Sequence, residues 1–326
     1  MHMSPLTPRP SQDWGWCFDP DADGHSALNA VALCKASVLA YAGAEETKAF
    51  LSRWGFTDVT ILKGALVTEG FVASDGKLIL VALRGTEPDS FVDWCLDLDF
   101  HQCELIKGNK AVPGRVHGGF ARGLGEVLDV LLETVQRLRN EGGLPLFVTG
   151  HSLGGALAVA AAAALHFTGK VPVHGVYTYG QPRVGDAEFS KAYDEHLGPV
   201  TFRYVNDLDV VPHVPAMHMP YAIFGRRNNP AIRLGRLVKA LLKGEAFRDL
   251  GRLKLLLADG TVTDSHAEWL KREVTYSPEL FRLVLASPEV VRHRLKQVFL
   301  PHVRILDHDP VTGYLPRLRA QHPDPC

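Results

Sequence analysis

The amino-acid sequence predicts an α/β protein with a mainly parallel mixed sheet and helices on both faces. Three observations favour this fold class: an early hairpin signal, helix and strand patterns that alternate between residues 124 and 205, and a glycine-rich turn from a strand into a helix at 150–154. Alternating patterns require crossover connections, which place parallel strands side by side. With 326 residues, 46% hydrophobic and 22% charged, the chain is long enough for one large globular domain or two smaller ones.

The chain opens with an arm and a helical region. Residues 1–20 are rich in proline and show little periodicity, so we expect a flexible N-terminal arm and assign residues 21–326 to a single domain. Apolar residues then recur at helical spacing from 26 to 54, with an interruption near Gly43. This pattern predicts one long helix or two abutting helices.

Strand patterns begin with a hairpin. Asp75-Gly76 lies between two short apolar runs, and this dipeptide is a strong hairpin signal, so the sheet is expected to begin antiparallel. Helices and strands then alternate in the order helix 124–139, strand 146–149, helix after Ser152, strand 174–179, helix 187–196 and strand 200–205.

The sequence changes character near residue 226. Residues 226–299 are helix-rich and poor in glycine, and we interpret them as a helical insertion before a last strand at 302–306. Within them, residues 226–254 combine apolar residues at helical spacing with many basic residues and only two acids. Such a basic amphipathic helix can bind an anionic lipid or membrane surface; the alternative is the solvated face of a packed helix.

Charge and cysteine content narrow the function classes. The formal net charge of −1 gives no long-range attraction for nucleic acid, so we expect no nucleic-acid partner. The five cysteines are scattered and lack C-x-x-C spacing, which predicts neither a disulfide framework nor a zinc site and favours a reducing compartment. No signal peptide and no apolar run of about 18 residues is recognisable, so we expect a cytoplasmic protein without a transmembrane helix.

Residues 146–155 predict a nucleophile elbow. An apolar strand runs into a Gly-x-Ser-x-Gly motif centred on Ser152 and then into an alanine-rich helix, which is the context that this motif requires. Glycines at 150 and 154 give the backbone room for the sharp turn. An ordinary glycine-rich turn is the alternative. Since a serine hydroxyl is a poor nucleophile, Ser152 needs a base and an acid that orients the base.

In the elbow architecture the acid and then the base follow the serine, each in a loop after a strand. Asp207 and Asp209 both follow the strand at 200–205. Asp209 is favoured because Pro212 would turn the chain and pin that carboxylate, whereas Asp207 could cap the turn. The favoured base is His308, which directly follows the last predicted strand; His151 would point away from the serine oxygen. The remaining candidate bases are His302, His213 and His218.

A tetrahedral intermediate needs donors for its oxyanion. The backbone N–H of Leu153 is the first candidate because it follows the nucleophile. The second is expected from the end of the strand near residue 83, where Thr86 follows a glycine. Thr86 could donate through its N–H and its hydroxyl, although a structural turn is an equally ordinary use of Gly-Thr.

Six motifs follow one another along the chain at 84–86, 93–100, 116–120, 150–155, 179–186 and 209–215. Their order and spacing resemble the class 3 lipases, the fungal-lipase-like family of proteins with the α/β-hydrolase fold. The resemblance implies that Ser152 is the nucleophile, Asp209 the acid, and Thr86 and the Leu153 amide the oxyanion donors. It also implies that residues 90–96 correspond to the family's lid, with three apolar residues that could meet lipid, Phe91, Trp94 and Leu96.

The segment around His308 resembles the terminal histidine segment of the family. The resemblance implies hydrolysis of acylglycerols or related lipid esters through an acyl-serine intermediate, without a metal or organic cofactor. A phospholipase A1, a galactolipase or a soluble short-chain carboxylesterase would use the same chemistry, because fold and triad do not fix the substrate. A non-catalytic lipid-binding protein is the alternative of a different class.

Overall fold

A mixed sheet dominates the part of the chain that the computed structural model describes, namely residues 9–11, 13–64, 69–85, 102–107, 110–140, 143–207, 209, 211–213, 247–272 and 308–322. The strands are β1 (Asp58–Lys63), β2 (Glu69–Ser74), β3 (Ile79–Leu83), β4 (Gln102–Cys103), β5 (Ile106–Lys107), β6 (Lys110–Ala111), β7 (Val116–His117), β8 (Leu146–His151), β9 (Gly175–Tyr179), β10 (Thr201–Asn206), β11 (Arg252–Leu256) and β12 (Val262–Thr263). The helices are α1 (Ala27–Leu39), α2 (Ala44–Arg53), α3 (Gly118–Gly125), α4 (Leu128–Asn140), α5 (Leu153–Ala163), α6 (Ala187–His196) and α7 (Leu315–Gln321).

Eight of these strands form the main sheet in the order β1-β2-β3-β8-β9-β10-β11-β12. The strands from β3 to β11 in this order are parallel, whereas β1 and β2 at one edge and β12 at the other pair antiparallel. The expected mainly parallel mixed sheet is therefore confirmed. The strand order places the ends of β8, β9 and β10 next to one another.

The predicted hairpin and the predicted helical region at 26–54 are confirmed. β2 and β3 form the expected antiparallel hairpin, with Gly76 at φ 81° and Asp75 Oδ1 accepting the N–H groups of Lys77 and Leu78 at 2.9 and 3.0 Å. The helical region is two helices, and Gly43 is the N-cap of the second, α2.

Helices cover both faces of the sheet because its central strands are apolar on both sides. In β8, Leu146 and Val148 face the core that α3, α4 and α5 complete, whereas Phe147 faces the core of α1, α2 and α7. This alternation follows from the two-residue period of a strand. Every residue of α5 is buried, and its alanine side chains let the helix lie close to the sheet.

The helical insertion predicted at 226–299 is wrong for residues 252–256 and 262–263, which are the strands β11 and β12 of the main sheet. The basic helical pattern predicted at 226–254 is likewise wrong for residues 252–254, which belong to β11, whereas residues 226–246 lie outside the described residues and their binding to a lipid surface stays a prediction. The segment Arg252–Leu256 alternates basic and apolar residues over a strand period, and the neighbouring leucines also match a helical period, so the sequence pattern is ambiguous. Residues 214–246 and the predicted strand 302–306 lie outside the described residues.

Part of the N-terminal arm packs against the domain. Trp14 is buried, its carbonyl accepts the indole N–H of Trp54 at 2.9 Å, and Lys35 Nζ donates to the carbonyl of Gly15 at 2.8 Å. Trp16 stacks on Trp54 with ring centroids 5.0 Å apart. Residues 14–16 therefore differ from the flexible arm expected.

Cysteine pairing differs from the expectation as well. Cys17 is disulfide-bonded, and its partner lies outside the described residues, whereas Cys34 and Cys103 are free thiols. The bond at Cys17 differs from the expectation that the cysteines do not pair, and the cytoplasmic location stays a prediction. In the described parts of the chain no helix has the length and hydropathy needed to cross a bilayer.

A buried ionic cluster ties β11 to the loop after β10. Asp249 accepts Nε of Arg183 and the indole N–H of Trp269, each at 3.0 Å, and lies 3.6 Å from Arg203. Arg183 also donates to the carbonyl of His213 at 2.9 Å. Burial alone would raise the pKa of Asp249, but the charges of Arg203 and Arg183 outweigh it and hold this pKa well below its usual range.

Asp249→Asn should lower the free energy of unfolding by about 3–5 kcal/mol, because it removes a negative charge that two buried guanidinium groups face. Urea denaturation measures this loss. Since the folded state depresses the pKa of Asp249, its contribution is complete above pH about 4 and is lost as the pH falls further. The difference in the free energy of unfolding between the wild type and Asp249→Asn should therefore become smaller below pH about 4. Asp259→Asn, in the exposed turn before β12, is the control and should match the wild type.

Candidate active site

Ser152 lies at the sharp turn between β8 and α5. Its backbone has φ 58° and ψ −129°, in a positive-φ region that L-residues rarely adopt. Its N–H donates to the carbonyl of Tyr179, at the end of β9, at 2.9 Å. The Ser152 hydroxyl is buried and has no hydrogen-bond partner in the described part of the chain. The strand, turn and helix predicted at 146–155 are therefore present, with a strained serine at the apex.

Gly150 and Gly154 make this turn sterically possible. A Cβ atom at Gly150 would lie 2.1 Å from the carbonyl oxygen of Gly154, and one at Gly154 would lie 2.2 Å from the carbonyl oxygen of Leu83. Any side chain at either position would push α5 away from β3 and β8. Leu153 begins α5 directly after the serine, so its N–H belongs to the first-turn donors that have no partner within the helix.

Asp209 and His308 form a buried acid–base pair. His308 Nδ1 lies 2.8 Å from Asp209 Oδ2, and the two side chains are 7% and 0% exposed, respectively. An ionised carboxylate only accepts hydrogen bonds, so Nδ1 carries the hydrogen and donates it to Asp209. In the neutral ring, Nε2 then carries the lone pair, which is the form a histidine needs in order to take a proton from a hydroxyl.

Three donors hold the Asp209 carboxylate. Besides His308, the hydroxyl of Tyr314 donates to Oδ2 at 2.5 Å, and the N–H of Val211 donates to Oδ1 at 2.9 Å. Burial and the charge of Asp209 raise the pKa of Tyr314 well above its usual range, so the phenol stays a neutral donor. The same phenol oxygen accepts the N–H of Asn206 at 3.1 Å and so anchors the end of β10.

The alternative acid Asp207 and the alternative base His213 have other partners in the structure. Asp207 accepts Nε of Arg272 at 3.0 Å and pairs with that cation rather than with His308. His213 is buried and stacks on Trp269, with ring centroids 4.0 Å apart. Two other candidate bases lie outside the described residues, His218 and His302.

These groups converge because three adjacent parallel strands end at one edge of the sheet. Ser152 follows β8, Gly180 follows β9 and Asp209 follows shortly after β10. A Cβ atom at Gly180, which has φ 62°, would lie 2.8 Å from both Asp209 Oδ2 and His308 Nδ1. The ring of His308 lies 4.6 Å from the ring of His151, the residue before Ser152. A serine hydroxyl and an imidazole oriented by a carboxylate are the groups that nucleophilic acyl transfer needs, and here they lie at the same edge of the sheet.

The remaining predicted site residues lie outside the described part of the chain: Thr86, Phe91, Trp94 and Leu96. Gly85, which precedes Thr86, does pack on the elbow, because a Cβ atom there would lie 2.7 Å from the carbonyl oxygen of His151. Among the described residues, no cluster of His, Cys, Asp or Glu side chains is arranged to hold a metal ion.

Sequence reasoning missed the polar side chains that surround the pair. Tyr314 and Asp209 are 105 positions apart, and Tyr41 and His151, which also share a hydrogen bond, are 110 positions apart. No local pattern links residues at such distances. The only available signal was the position of Tyr314 in the same short segment as His308.

Residues 80–219 match the family described as lipase (class 3). This part of the chain is similar to the class 3 lipases. The resemblance that the six motifs predict is therefore confirmed, and the matched span runs from β3 through the loop that carries Asp209.

Two curated relatives and one solved structure of this lipase family illustrate the similarity. A lipase of Rhizomucor miehei is 37% identical over 145 residues, which are 43% of this chain and 38% of that protein. A secreted mono- and diacylglycerol lipase of Fusarium solani is 34% identical over 165 residues, 48% of this chain and 44% of that protein. The chain thus spans less than half the length of these relatives.

The solved structure is that of the Rhizomucor miehei triacylglyceride lipase, with a TM-score of 0.56 and 22% identity over 88% of this chain and 95% of that one. At this identity the likeness shows the fold alone, which is the α/β-hydrolase fold predicted from the sequence.

Ser152→Gly should be more stable than Ser152→Ala by about 1 kcal/mol, because both variants lack the hydroxyl but only glycine tolerates the positive φ without strain. Urea denaturation of the two variants measures the difference. Ser190, inside α6, provides the matched pair: there Ser190→Gly should be less stable than Ser190→Ala by about 1 kcal/mol. If the alanine variant were more stable than the glycine variant at both positions, the backbone at Ser152 would not be strained.

Proposed function

We propose that this protein hydrolyses carboxylic esters of acylglycerols through an acyl-serine intermediate, with Ser152 as nucleophile, His308 as general base and Asp209 as the acid. The observation that supports this proposal most strongly is the buried hydrogen bond between Asp209 and His308, at the same edge of the sheet as the strained Ser152. Strain of this kind is stable only where the surrounding structure enforces it, and it clusters at functional sites.

The proposed reaction begins when His308 Nε2 takes the proton of the Ser152 hydroxyl while Oγ bonds to the ester carbonyl carbon. The carbonyl electrons move to the oxygen and give a tetrahedral oxyanion. When this intermediate collapses, the bond to the alcohol breaks and His308 returns the proton to the leaving oxygen. A water molecule then repeats both steps on the acyl-serine, which releases the fatty acid and restores Ser152.

The oxyanion needs donors that are in place before the charge develops. We assign this role to the N–H of Leu153, in the first turn of α5, and to Thr86, which follows the segment that packs on the elbow. Phe91, Trp94 and Leu96 are assigned to a lid that contacts the acyl chains. These assignments rest on the family resemblance and on the position of Gly85 against His151.

Acylglycerols are the proposed substrate class because the Fusarium solani relative is named a mono- and diacylglycerol lipase. A phospholipase A1 and a galactolipase act on substrates with a different group attached to the diacylglycerol, and a short-chain carboxylesterase acts on shorter acyl chains. The substrate panel described below distinguishes these three activities from acylglycerol hydrolysis.

Ser152→Ala should abolish both ester hydrolysis and labelling by a fluorophosphonate probe, whereas Ser190→Ala, which alters a buried serine on α6, should label at the wild-type rate. Gel fluorescence and a p-nitrophenyl ester assay measure the two readouts. Equal labelling of wild type and Ser152→Ala would overturn the assignment of the nucleophile.

Asp209→Asn should lower kcat by about 10⁴-fold, since an amide whose oxygen accepts the Val211 N–H would turn its NH₂ group, a donor, toward His308 Nδ1 and favour the wrong tautomer. Asp207→Asn removes the other candidate acid and should retain most of the activity, because that carboxylate pairs with Arg272. Steady-state kinetics of both variants decide between them. A larger loss in Asp207→Asn would move the acid to position 207.

A substrate panel tests the acylglycerol assignment: p-nitrophenyl butyrate, emulsified trioctanoin, phosphatidylcholine vesicles and monogalactosyldiacylglycerol. We expect the highest kcat/KM on the acylglycerol, with a rise in rate above its solubility limit if the lid residues respond to a lipid surface. Preference for the phospholipid or the galactolipid would change the substrate class and leave the triad intact. Activity on the butyrate alone would favour a short-chain esterase.

A further inference from the structure

The imidazole of His151 is buried between a tyrosine and the backbone of the proposed base. Its Nε2 lies 2.6 Å from the carbonyl oxygen of His308, and its Nδ1 lies 3.0 Å from the hydroxyl of Tyr41. Both side chains are almost completely buried, with His151 at 1% and Tyr41 at 2% exposure. Both ring nitrogens of His151 are therefore engaged away from the hydroxyl of Ser152, the next residue.

The partners determine the tautomer of His151. A carbonyl oxygen only accepts, so Nε2 carries the hydrogen and donates it to His308. Nδ1 then bears the lone pair and accepts the hydroxyl hydrogen of Tyr41. Burial, and next the nearby His308, lower the pKa of His151 well below its usual value, which keeps the ring in this neutral form.

Two hydrogen bonds hold His308, one at its ring and one at its backbone. Asp209 holds its ring through Nδ1, and His151 holds its backbone through the carbonyl oxygen. Because His151 is bonded directly to Ser152, the base is fixed to the residue next to the nucleophile and not only to the loop that carries the acid. The relative position of the two reacting side chains therefore depends on a short chain of bonds.

Tyr41 also contacts the two residues that precede Thr86, namely Arg84 and Gly85. A Cβ atom at Gly85 would lie 2.4 Å from the Tyr41 hydroxyl, and the guanidinium of Arg84 lies 5.8 Å from the centre of the Tyr41 ring. The hydroxyl of Tyr41 also approaches the carbonyl oxygen of His151 at 3.5 Å. Tyr41 thus touches the elbow and the approach to the proposed oxyanion donor at once.

We propose that Tyr41 and His151 are a positioning pair, in which Tyr41 fixes the ring of His151 and His151 fixes the backbone of His308 relative to Ser152. This inference rests on the function proposed above. Neither residue takes or gives a proton in the reaction. Their effect is on the geometry in which proton transfer between Ser152 and His308 occurs, and misplacement by about 1 Å costs about 10²-fold in rate.

The first test compares two buried tyrosines. Tyr41→Phe removes the donor to His151 Nδ1 and keeps the ring, whereas Tyr193→Phe removes a hydroxyl that lies 3.0 Å from Thr201 Oγ1 in the packing of α6. We expect Tyr41→Phe to lower kcat by about 10-fold or more at nearly constant KM, and Tyr193→Phe to leave both unchanged. Urea midpoints of both variants separate positioning from stability. Equal kcat in the two folded variants would overturn the proposal.

The second test asks whether Tyr41 acts through His151. His151→Gln retains an N–H donor for the carbonyl of His308, whereas His151→Leu has similar bulk and no donor, so kcat should fall in the order wild type, Gln, Leu. In the His151→Leu background, Tyr41→Phe should cause a smaller loss of kcat than in the wild-type background, because the hydrogen bond from Tyr41 to the ring of His151 is already absent. A loss as large as in the wild-type background would overturn the pairing.

The two proposals fail in different ways. A wild-type protein that neither reacts with the fluorophosphonate nor hydrolyses any ester of the panel would overturn the proposed function. A wild-type protein that does both, together with a Tyr41→Phe variant of wild-type kcat and labelling rate, would overturn the positioning pair alone.

Discussion

The strained reversal of the chain at Ser152 is the constraint on which the site depends. It exists because glycines before and after the serine allow backbone contacts that a side chain would prevent, and because the alanine-rich α5 lies close to the sheet. Strain of about 1–3 kcal/mol at such a residue persists only in a rigid surrounding. The bond from the Ser152 N–H to Tyr179 and the complete burial of α5 supply that rigidity.

A second constraint is the burial of the Asp209 charge, which is unfavourable unless donors replace the lost water. His308, Tyr314 and the N–H of Val211 supply three such donors from two different segments. The acid therefore determines where the C-terminal segment docks, since both His308 and Tyr314 belong to it. The same carboxylate therefore orients the proposed base and anchors the C-terminal segment.

The sequence predicted the features that local patterns determine, and it missed those that depend on contacts between residues far apart in the chain. The hairpin at Asp75-Gly76, the elbow at Ser152 and the preference for Asp209 over Asp207 came from local patterns, and the structure agrees with their geometry. The strand Arg252–Leu256 was missed because its leucines fit a helix as well as a strand. Tyr314 and Tyr41 were missed because their contacts span more than a hundred positions.

The guanidinium of Arg183 holds two points that are far apart in the sequence. It donates to the carbonyl of His213 and to the carboxylate of Asp249. His213 lies shortly after Asp209, and Asp249 lies shortly before β11. A single side chain that follows β9 therefore couples the position of the proposed acid to the approach to β11, so a substitution at Arg183 would disturb both.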